Sequence, residues 1–153
     1  METLGDKWSF DYDAYRTTTT DGYILSVFNI LPTLAPGETR PKASVLIQHG
    51  NTNDGASWLE AYGNEKPFHV MLAEQGYDVW IGNNRGTEYS QGHTTLTANG
   101  ATTWSANGGA AASEYWDFSW ADMAKDDKAQ IKTIQEVANV DQVIYIGYSL
   151  GTT

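Results

Sequence analysis

Polar and apolar positions change period along this chain, and the changes mark its elements. Asp13 to Thr20 is rich in Thr and Tyr, Asp21-Gly22 is a turn dipeptide, and Tyr23 to Ile30 is a second apolar-alternating run. Residues 11–31 therefore predict a β-hairpin. Pro32, Pro36, Gly37 and Pro41 then punctuate a loop up to Lys42. Ser44-Val45-Leu46-Ile47-Gln48 is a short continuous apolar run ending at His49-Gly50. Runs of that kind suit a strand covered on both faces of a parallel sheet.

Between Trp58 and Gln75 the period becomes helical. Phe68, Met71, Leu72 and Gln75 share a face, Pro67 occupies a tolerated first-turn position, and Gly76 is placed to end the helix. Tyr77 to Ile81 predicts another strand, closed by Gly82-Asn83-Asn84-Arg85-Gly86. Periodicity lapses from Thr87 to Ser113. The Ala-, Gly-, Asn- and Thr-rich stretch at 98–113 reads as a flexible insert. Ser119 and Asp122 are spaced like a capping box. A helix is expected from there to Ala138, with Trp120, Met123, Ala124, Ile131, Ile134 and Ala138 inward and Asp126, Asp127, Lys128 and Lys132 on a solvated face. Gln142 to Ile146 is the last predicted strand.

The order β, β, β, α, β, α, β implies one α/β domain over residues 1–153: a hairpin at 11–31, then a β-α-β-α-β unit at 44–153. Alternating strands and helices require right-handed crossovers and a parallel sheet with flanking helices. In such sheets chemistry gathers at the carboxyl ends of the strands. His49-Gly50, Asn83-Asn84-Arg85 and Ser149 all fall there.

Ser149 stands in Gly147-Tyr148-Ser149-Leu150-Gly151, directly after an apolar strand. Gly-x-Ser-x-Gly in that setting is the pattern of a nucleophile elbow, a strand-to-helix turn so tight that the flanking positions carry no side chain. The oxyanion donors expected beside it are the backbone N–H groups of Leu150 and of Asn51, just past His49-Gly50. His49 itself is expected to be a buried, hydrogen-bonded scaffold residue rather than a base. A serine nucleophile needs a base and an orienting acid, which in this architecture follow the serine. Leu150-Gly151-Thr152-Thr153 supplies neither. His69 and His93 lie in other elements. Asp117, Asp122, Asp126 and Asp127 read as a helix N-terminal cluster.

Charge and composition narrow the partners. Nine basic against 19 acidic residues leave a net charge of −10, which repels phosphate backbones and argues against nucleic acid. There is no cysteine, and the three histidines lack metal-site spacing, so no metal and no cofactor is expected. No apolar run approaches the roughly 20 residues that span a bilayer. Met1 to Phe10 has no signal-peptide pattern.

Taken together, Thr20-Asp21-Gly22-Tyr23-Ile24-Leu25, Gln48-His49-Gly50, Gly76-Tyr77-Asp78-Val79-Trp80-Ile81-Gly82-Asn83, Arg85-Gly86, Trp116-Asp117-Phe118-Ser119, Met123-Ala124-Lys125 and Gly147 to Thr153 resemble the acid lipases of the α/β-hydrolase superfamily, the gastric, lysosomal and sterol-ester hydrolase type. The pieces stand in the family's order and cover most of the chain from Tyr12. The resemblance implies the N-terminal half of an α/β-hydrolase fold, ending just after the elbow. It implies a lipid carboxylic-ester hydrolase acting through an acyl-enzyme, with Ser149 as nucleophile and the Leu150 and Asn51 N–H groups as oxyanion donors. A triglyceride or sterol ester is the implied substrate, with interfacial lipid contact, and a secreted or lysosomal setting. Tyr148 and Leu150 depart from the His and Gln of many relatives, and Asn51 from an apolar residue. The family's acid, histidine and lid would lie beyond Thr153, so the chain is expected to be an inactive fragment. The rival expectations are a non-catalytic interaction module and an α/β-hydrolase of another substrate class.

Overall fold

A computed structural model describes residues 8–59, 65–98 and 114–152. The hairpin forms as the turn chemistry dictates. Strand β1 (Tyr12–Thr18) pairs antiparallel with β2 (Tyr23–Ile30), Tyr12 opposite Ile30 and Thr18 opposite Ile24. Gly22 supplies the positive φ, +96°, that the turn needs. Strands β3 (Ser44–Gln48), β4 (Asp78–Ile81) and β6 (Ile144–Gly147) complete the main sheet. Its order is β1-β2-β4-β3-β6, with β2 antiparallel to β4, and β3 parallel to both β4 and β6.

Every residue of β3 and β4 is buried, and the alternation of side chains across a strand explains how. Phe28, Ile30, Val45, Ile47, Val79 and Ile81 face one side, where Val70 and Ala73 of helix α1 (Phe68–Glu74) cover them. Val27, Leu46 and Trp80 face the other, under Ile134 of helix α2 (Ala124–Ala138). The two helices thus lie on opposite faces. From β3 the chain winds through α1 to β4 on one flank, then through α2 to β6 on the other. The direction reverses at β3, which puts a crevice at its carboxyl end.

The helices correct the sequence expectations in three ways. Helix α1 is only two turns long, and the residues it buries are His69, Val70 and Ala73. Phe68 and Met71, on the face that the helical spacing picks out, are 50% and 51% exposed, because the small Val70 and Ala73 side fits closely against the sheet. Helix α2 begins at Ala124. Ser119 and Asp122 do bond as a capping pair, the Ser119 N–H and hydroxyl both donating to Asp122 Oδ2 at 2.9 and 2.8 Å, but they close a turn ahead of the helix, and Trp120 is exposed. Third, Asp126 is not on a solvated face: it is fully buried, in line with Gln130 and Ile134. In the aperiodic stretch, Gly92–His93 form a short strand, β5, paired to β2. Of the predicted insert at 98–113, residues 99–113 lie outside the described residues, and Ala98 is buried against Tyr23, Leu25 and Tyr115.

Asp126 is buried because Arg85 is. The guanidinium bonds Asp126 Oδ1 through Nε and Nη2 at 2.8 and 2.7 Å, and the Arg85 N–H meets Asp126 Oδ2 at 2.9 Å. Its other edge meets Asp21 of the hairpin turn at 2.9 and 3.1 Å, and its flat face lies 3.9 Å from the Tyr23 ring centroid. Burial would lower the Arg85 pKa, but the two carboxylates raise it and keep the group charged. Burial likewise pushes Asp21 up, yet the hydrogen bonds from Arg85, Thr19 and Lys125 hold it well below the usual carboxylate range.

Two outcomes follow for stability. Asp126→Ala leaves a buried guanidinium uncompensated on one side and lowers unfolding free energy by about 3–5 kcal/mol. Lys125→Ala, removing a solvent-screened partner of Asp21, has a far smaller effect. Urea melts of both variants check this, and equal losses would overturn it. His69 governs the acid limb: it is fully buried with neither ring nitrogen hydrogen-bonded. Desolvation pulls its pKa down to about 4 from 6.5. The unfolded chain therefore binds the proton more readily, and stability that is intact above pH 6.5 is lost as pH falls towards 4. The loss is on the order of 3 kcal/mol. Melts at pH 7 and pH 4 are expected to show His69→Leu losing on the order of 3 kcal/mol less on acidification than the parent protein; the same acid response in both would exclude His69 as its source.

Candidate active site

The turn after β6 is built by steric necessity. Ser149 sits at φ +54°, a left-handed conformation that costs a side-chain-bearing residue about 1–3 kcal/mol and persists only where the surroundings enforce it. The enforcement comes from close backbone packing. A Cβ on Gly147 would lie 1.9 Å from the Gly151 carbonyl oxygen. One on Gly151 would lie 2.8 and 2.9 Å from the Gln48 and His49 carbonyl oxygens at the end of β3. The Tyr148 N–H donates to the Gln48 carbonyl at 3.2 Å, and the Gly151 N–H to the Tyr148 carbonyl at 2.9 Å. From beneath, the Tyr145 hydroxyl donates to the Gly151 carbonyl at 2.7 Å. Ser149 itself is exposed, and a short 3-10 turn, Ser149–Thr152, starts at once.

Opposite the serine runs the loop that leaves β3. A Cβ on Gly50 would stand 3.0 Å from Ser149 Cβ, so glycine there lets the two turns approach. Asn51 and Leu150 both line one cavity of about 350 Å³, whose walls include His49, Asn84 and Arg85. The structure thus brings the expected oxyanion pair to a common space next to Ser149. The Asn51 side chain is occupied locally, its Oδ1 accepting the Thr52 N–H at 3.0 Å.

His49 uses both ring nitrogens. The Asn84 N–H donates to Nε2 at 3.1 Å, so Nε2 is unprotonated, and Nδ1, 2.7 Å from the Gly50 carbonyl oxygen, carries the proton. Desolvation lowers its pKa, the Gly50 hydrogen bond opposing. It is a neutral tie between the ends of β3 and β4, as a buried scaffold histidine should be. His69 lies in the α1 face of the core, and His93 rests against Tyr23 and Tyr115. Among the described residues no histidine or carboxylate hydrogen-bonds the Ser149 hydroxyl, and no trio of His, Asp and Glu is placed to hold a metal ion.

On the other side of Gly50 and Asn53 opens a larger cleft of about 490 Å³, within the range of small-molecule sites, roughly 300–1,000 Å³. Trp58, Pro67, Phe68, Met71 and Tyr148 give it apolar walls. Trp58 and Tyr148 meet edge to face, ring centroids 6.2 Å apart. Sequence reasoning missed this cleft. Its signal was Phe68 and Met71 one turn apart, an apolar pair that the helical period groups on one face. It also missed Tyr145, whose hydroxyl holds the Gly151 carbonyl below the elbow.

The chain matches the family profile of the alpha/beta hydrolase fold over residues 43–153, and that of a partial alpha/beta-hydrolase lipase region over residues 1–62. Human lipase member K is 37% identical over 148 residues, 95% of this chain and 34% of the relative. Human lysosomal acid lipase/cholesteryl ester hydrolase is 36% identical over 149 residues, again 95% and 34%. The chain therefore spans about a third of the length of these relatives. Among solved structures an esterase of Pyrococcus furiosus superposes with a TM-score of 0.61 at 22% identity, over 96% of this chain and 46% of that one, a likeness of fold. The chain belongs to the α/β-hydrolase fold family, and within it resembles the acid lipases.

Proposed function

We propose that this chain carries the nucleophile and oxyanion half of a serine hydrolase for lipid carboxylic esters. The observation that carries the reading is the strained, exposed Ser149, whose neighbours Tyr148 and Leu150 line an apolar cleft and a cavity shared with Asn51 respectively. The Ser149 hydroxyl attacks the ester carbonyl carbon, and the carbonyl oxygen takes the negative charge. The N–H groups of Leu150 and Asn51 receive that oxyanion, a contribution worth about 3–4 kcal/mol per donor in related chemistry. Collapse expels the alcohol and leaves an acyl-serine, which water then hydrolyses.

A carbonyl held at Ser149 has two further substituents, and two cavities meet at Gly50 and Asn53. The apolar cleft of Trp58, Phe68, Met71 and Tyr148 suits an acyl chain. The polar cavity suits the alcohol side. The names of the similar lipases and of the cholesteryl ester hydrolase support a triglyceride or sterol ester, with interfacial lipid contact through the exposed Phe68, Met71 and Tyr148. The lysosomal relative supports a secreted or lysosomal setting. The 153 residues hold no Asp, Glu or His after Ser149, so on their own they lack the partners that take its proton. Loss of one such partner costs roughly 10⁴–10⁶ in kcat.

Two measurements test this. In the longest protein the transcript encodes, Ser149→Ala abolishes p-nitrophenyl ester turnover, by roughly 10⁴–10⁶-fold, and the 153-residue polypeptide shows no serine-dependent turnover. Undiminished activity of Ser149→Ala, or ordinary turnover by the 153 residues, would sink the proposal. The cleft is tested by titrating saturated fatty acids of rising length against the 153-residue chain. Affinity is expected to rise by up to about fourfold per added CH₂ until the cleft is filled. Met71→Asp and Tyr148→Ala should flatten that dependence. Binding that ignores chain length would remove the acyl assignment.

A further inference from the structure

His49 stands just past the end of β3, and both of its ring nitrogens are spent on backbone groups. The residue is 3% exposed. The Asn84 N–H, from the chain leaving β4, donates to Nε2 at 3.1 Å. A neutral imidazole carries one proton. The Asn84 bond therefore fixes it on Nδ1, which donates to the Gly50 carbonyl at 2.7 Å. Asn84 is itself held, its Oδ1 accepting the Gln48 side-chain amide at 2.7 Å, and both residues are buried. A tie between β3 and β4 needs only the bond at Nε2. The bond at Nδ1 grips the carbonyl of the peptide that follows.

That peptide joins Gly50 to Asn51. It is planar and trans, so its C=O and N–H point in opposite directions. His49 lies in the core and Asn51 is exposed. Holding the Gly50 carbonyl inward against His49 turns the Asn51 N–H outward, on the side of the cavity that Asn51 shares with Leu150. Among the described residues the Asn51 N–H donates to no acceptor, while the Asn51 side chain takes the Thr52 N–H at 3.0 Å. The loop does not hold this shape by local preference. Thr52 sits at φ +64°, which a β-branched residue adopts only where its surroundings impose it. Among the described residues the other donor to the Gly50 carbonyl is the Asn53 N–H, at 3.4 Å, beyond the usual range for such a bond. His49 is thus the firm anchor of this peptide. The peptide also passes close to the serine, since a Cβ on Gly50 would stand 3.0 Å from Ser149 Cβ.

We propose that His49 is a positioning residue for the oxyanion hole: its Nδ1–H, set in place by the Asn84 N–H, holds the Gly50 carbonyl inward and so presents the Asn51 N–H to the cavity beside Ser149. Its part in catalysis rests on the reading of Asn51 and Leu150 as oxyanion donors. A main-chain donor has no side chain of its own to aim it, and it stabilises developing charge fully only when aimed beforehand. The histidine supplies that aim without touching the substrate.

Two substitutions separate the two bonds. The amide of Asn reaches the place of Nδ1, and that of Gln the place of Nε2. His49→Asn keeps a donor for Gly50 and loses the acceptor for Asn84; His49→Gln does the reverse. In long-range ¹H–¹⁵N spectra of the 153-residue chain, His49 is expected as the Nδ1–H tautomer. The Gly50 carbonyl carbon and the Asn51 amide should shift in His49→Gln and return towards their parent positions in His49→Asn. An Nε2–H tautomer, or Gly50 and Asn51 signals that ignore loss of the donor, overturns the proposal. In the longest protein the transcript encodes, His49→Gln should lower kcat on p-nitrophenyl esters by roughly 10–10²-fold, short of the ~10²–10³ lost with an entire oxyanion donor. KM should change little, and His49→Asn should recover most of the loss. Equal losses in the two variants, or the larger loss in His49→Asn, would make His49 a tie between strands and no more. The spectra do not depend on turnover, and the Ser149→Ala assay decides the nucleophile reading separately.

Discussion

A guanidinium in the dry interior is tolerable only when its charge is met on every side, and much of this structure is arranged to meet that of Arg85. Asp21 comes from the hairpin turn, Asp126 from the first turn of α2, and the aromatic face from Tyr23. Asp21 and Tyr23 belong to one hairpin and Asp126 to α2, so with Arg85 at the end of β4 three separate parts of the chain meet. Removing water from the cluster makes each partner obligatory. That fixes the rotation of α2: with Asp126 inward, Gln130 and Ile134 follow it against the sheet. It also places Asp127 one position round the helix, towards β6. The cavity shared by Asn51 and Leu150 has Arg85 in its wall, so the site inherits its shape from the same pairing.

This explains which features could be read from residues alone. Strands β3 and β4 and the elbow are local statements: an apolar run covered on both faces, or two glycines around a serine, carries its meaning within a few positions. The hairpin turn at Asp21-Gly22 is local too. The inward side of α2 was not legible, because Asp126 finds its partner 41 positions away, and the polar residues at 126 and 127 look solvated without it. The strand at Gly92–His93 exists only because β2 offers it an edge. The outward turn of Phe68 and Met71 was not legible either, since periodicity locates an apolar face but does not distinguish a core from a cleft.

The site shows the same division. Ser149, Leu150 and Asn51 are read as site residues from motif and position. The packing beneath them is not, since Tyr145 reads as one more strand residue, and its hydroxyl bond to the Gly151 carbonyl exists only in three dimensions.

His69 and Asp127 sit on opposite faces of the sheet, under α1 and α2, and titrate over nearly the same pH interval in opposite senses. His69, held down at about 4, loses stability for the fold as pH falls from 6.5. Asp127, held up at about 6, binds its proton more tightly folded than unfolded, so its contribution grows as pH falls below 6. The two terms oppose each other in the global stability. A pH melt of the parent protein therefore reports the difference between the two, and the His69 part is isolated by comparison with His69→Leu.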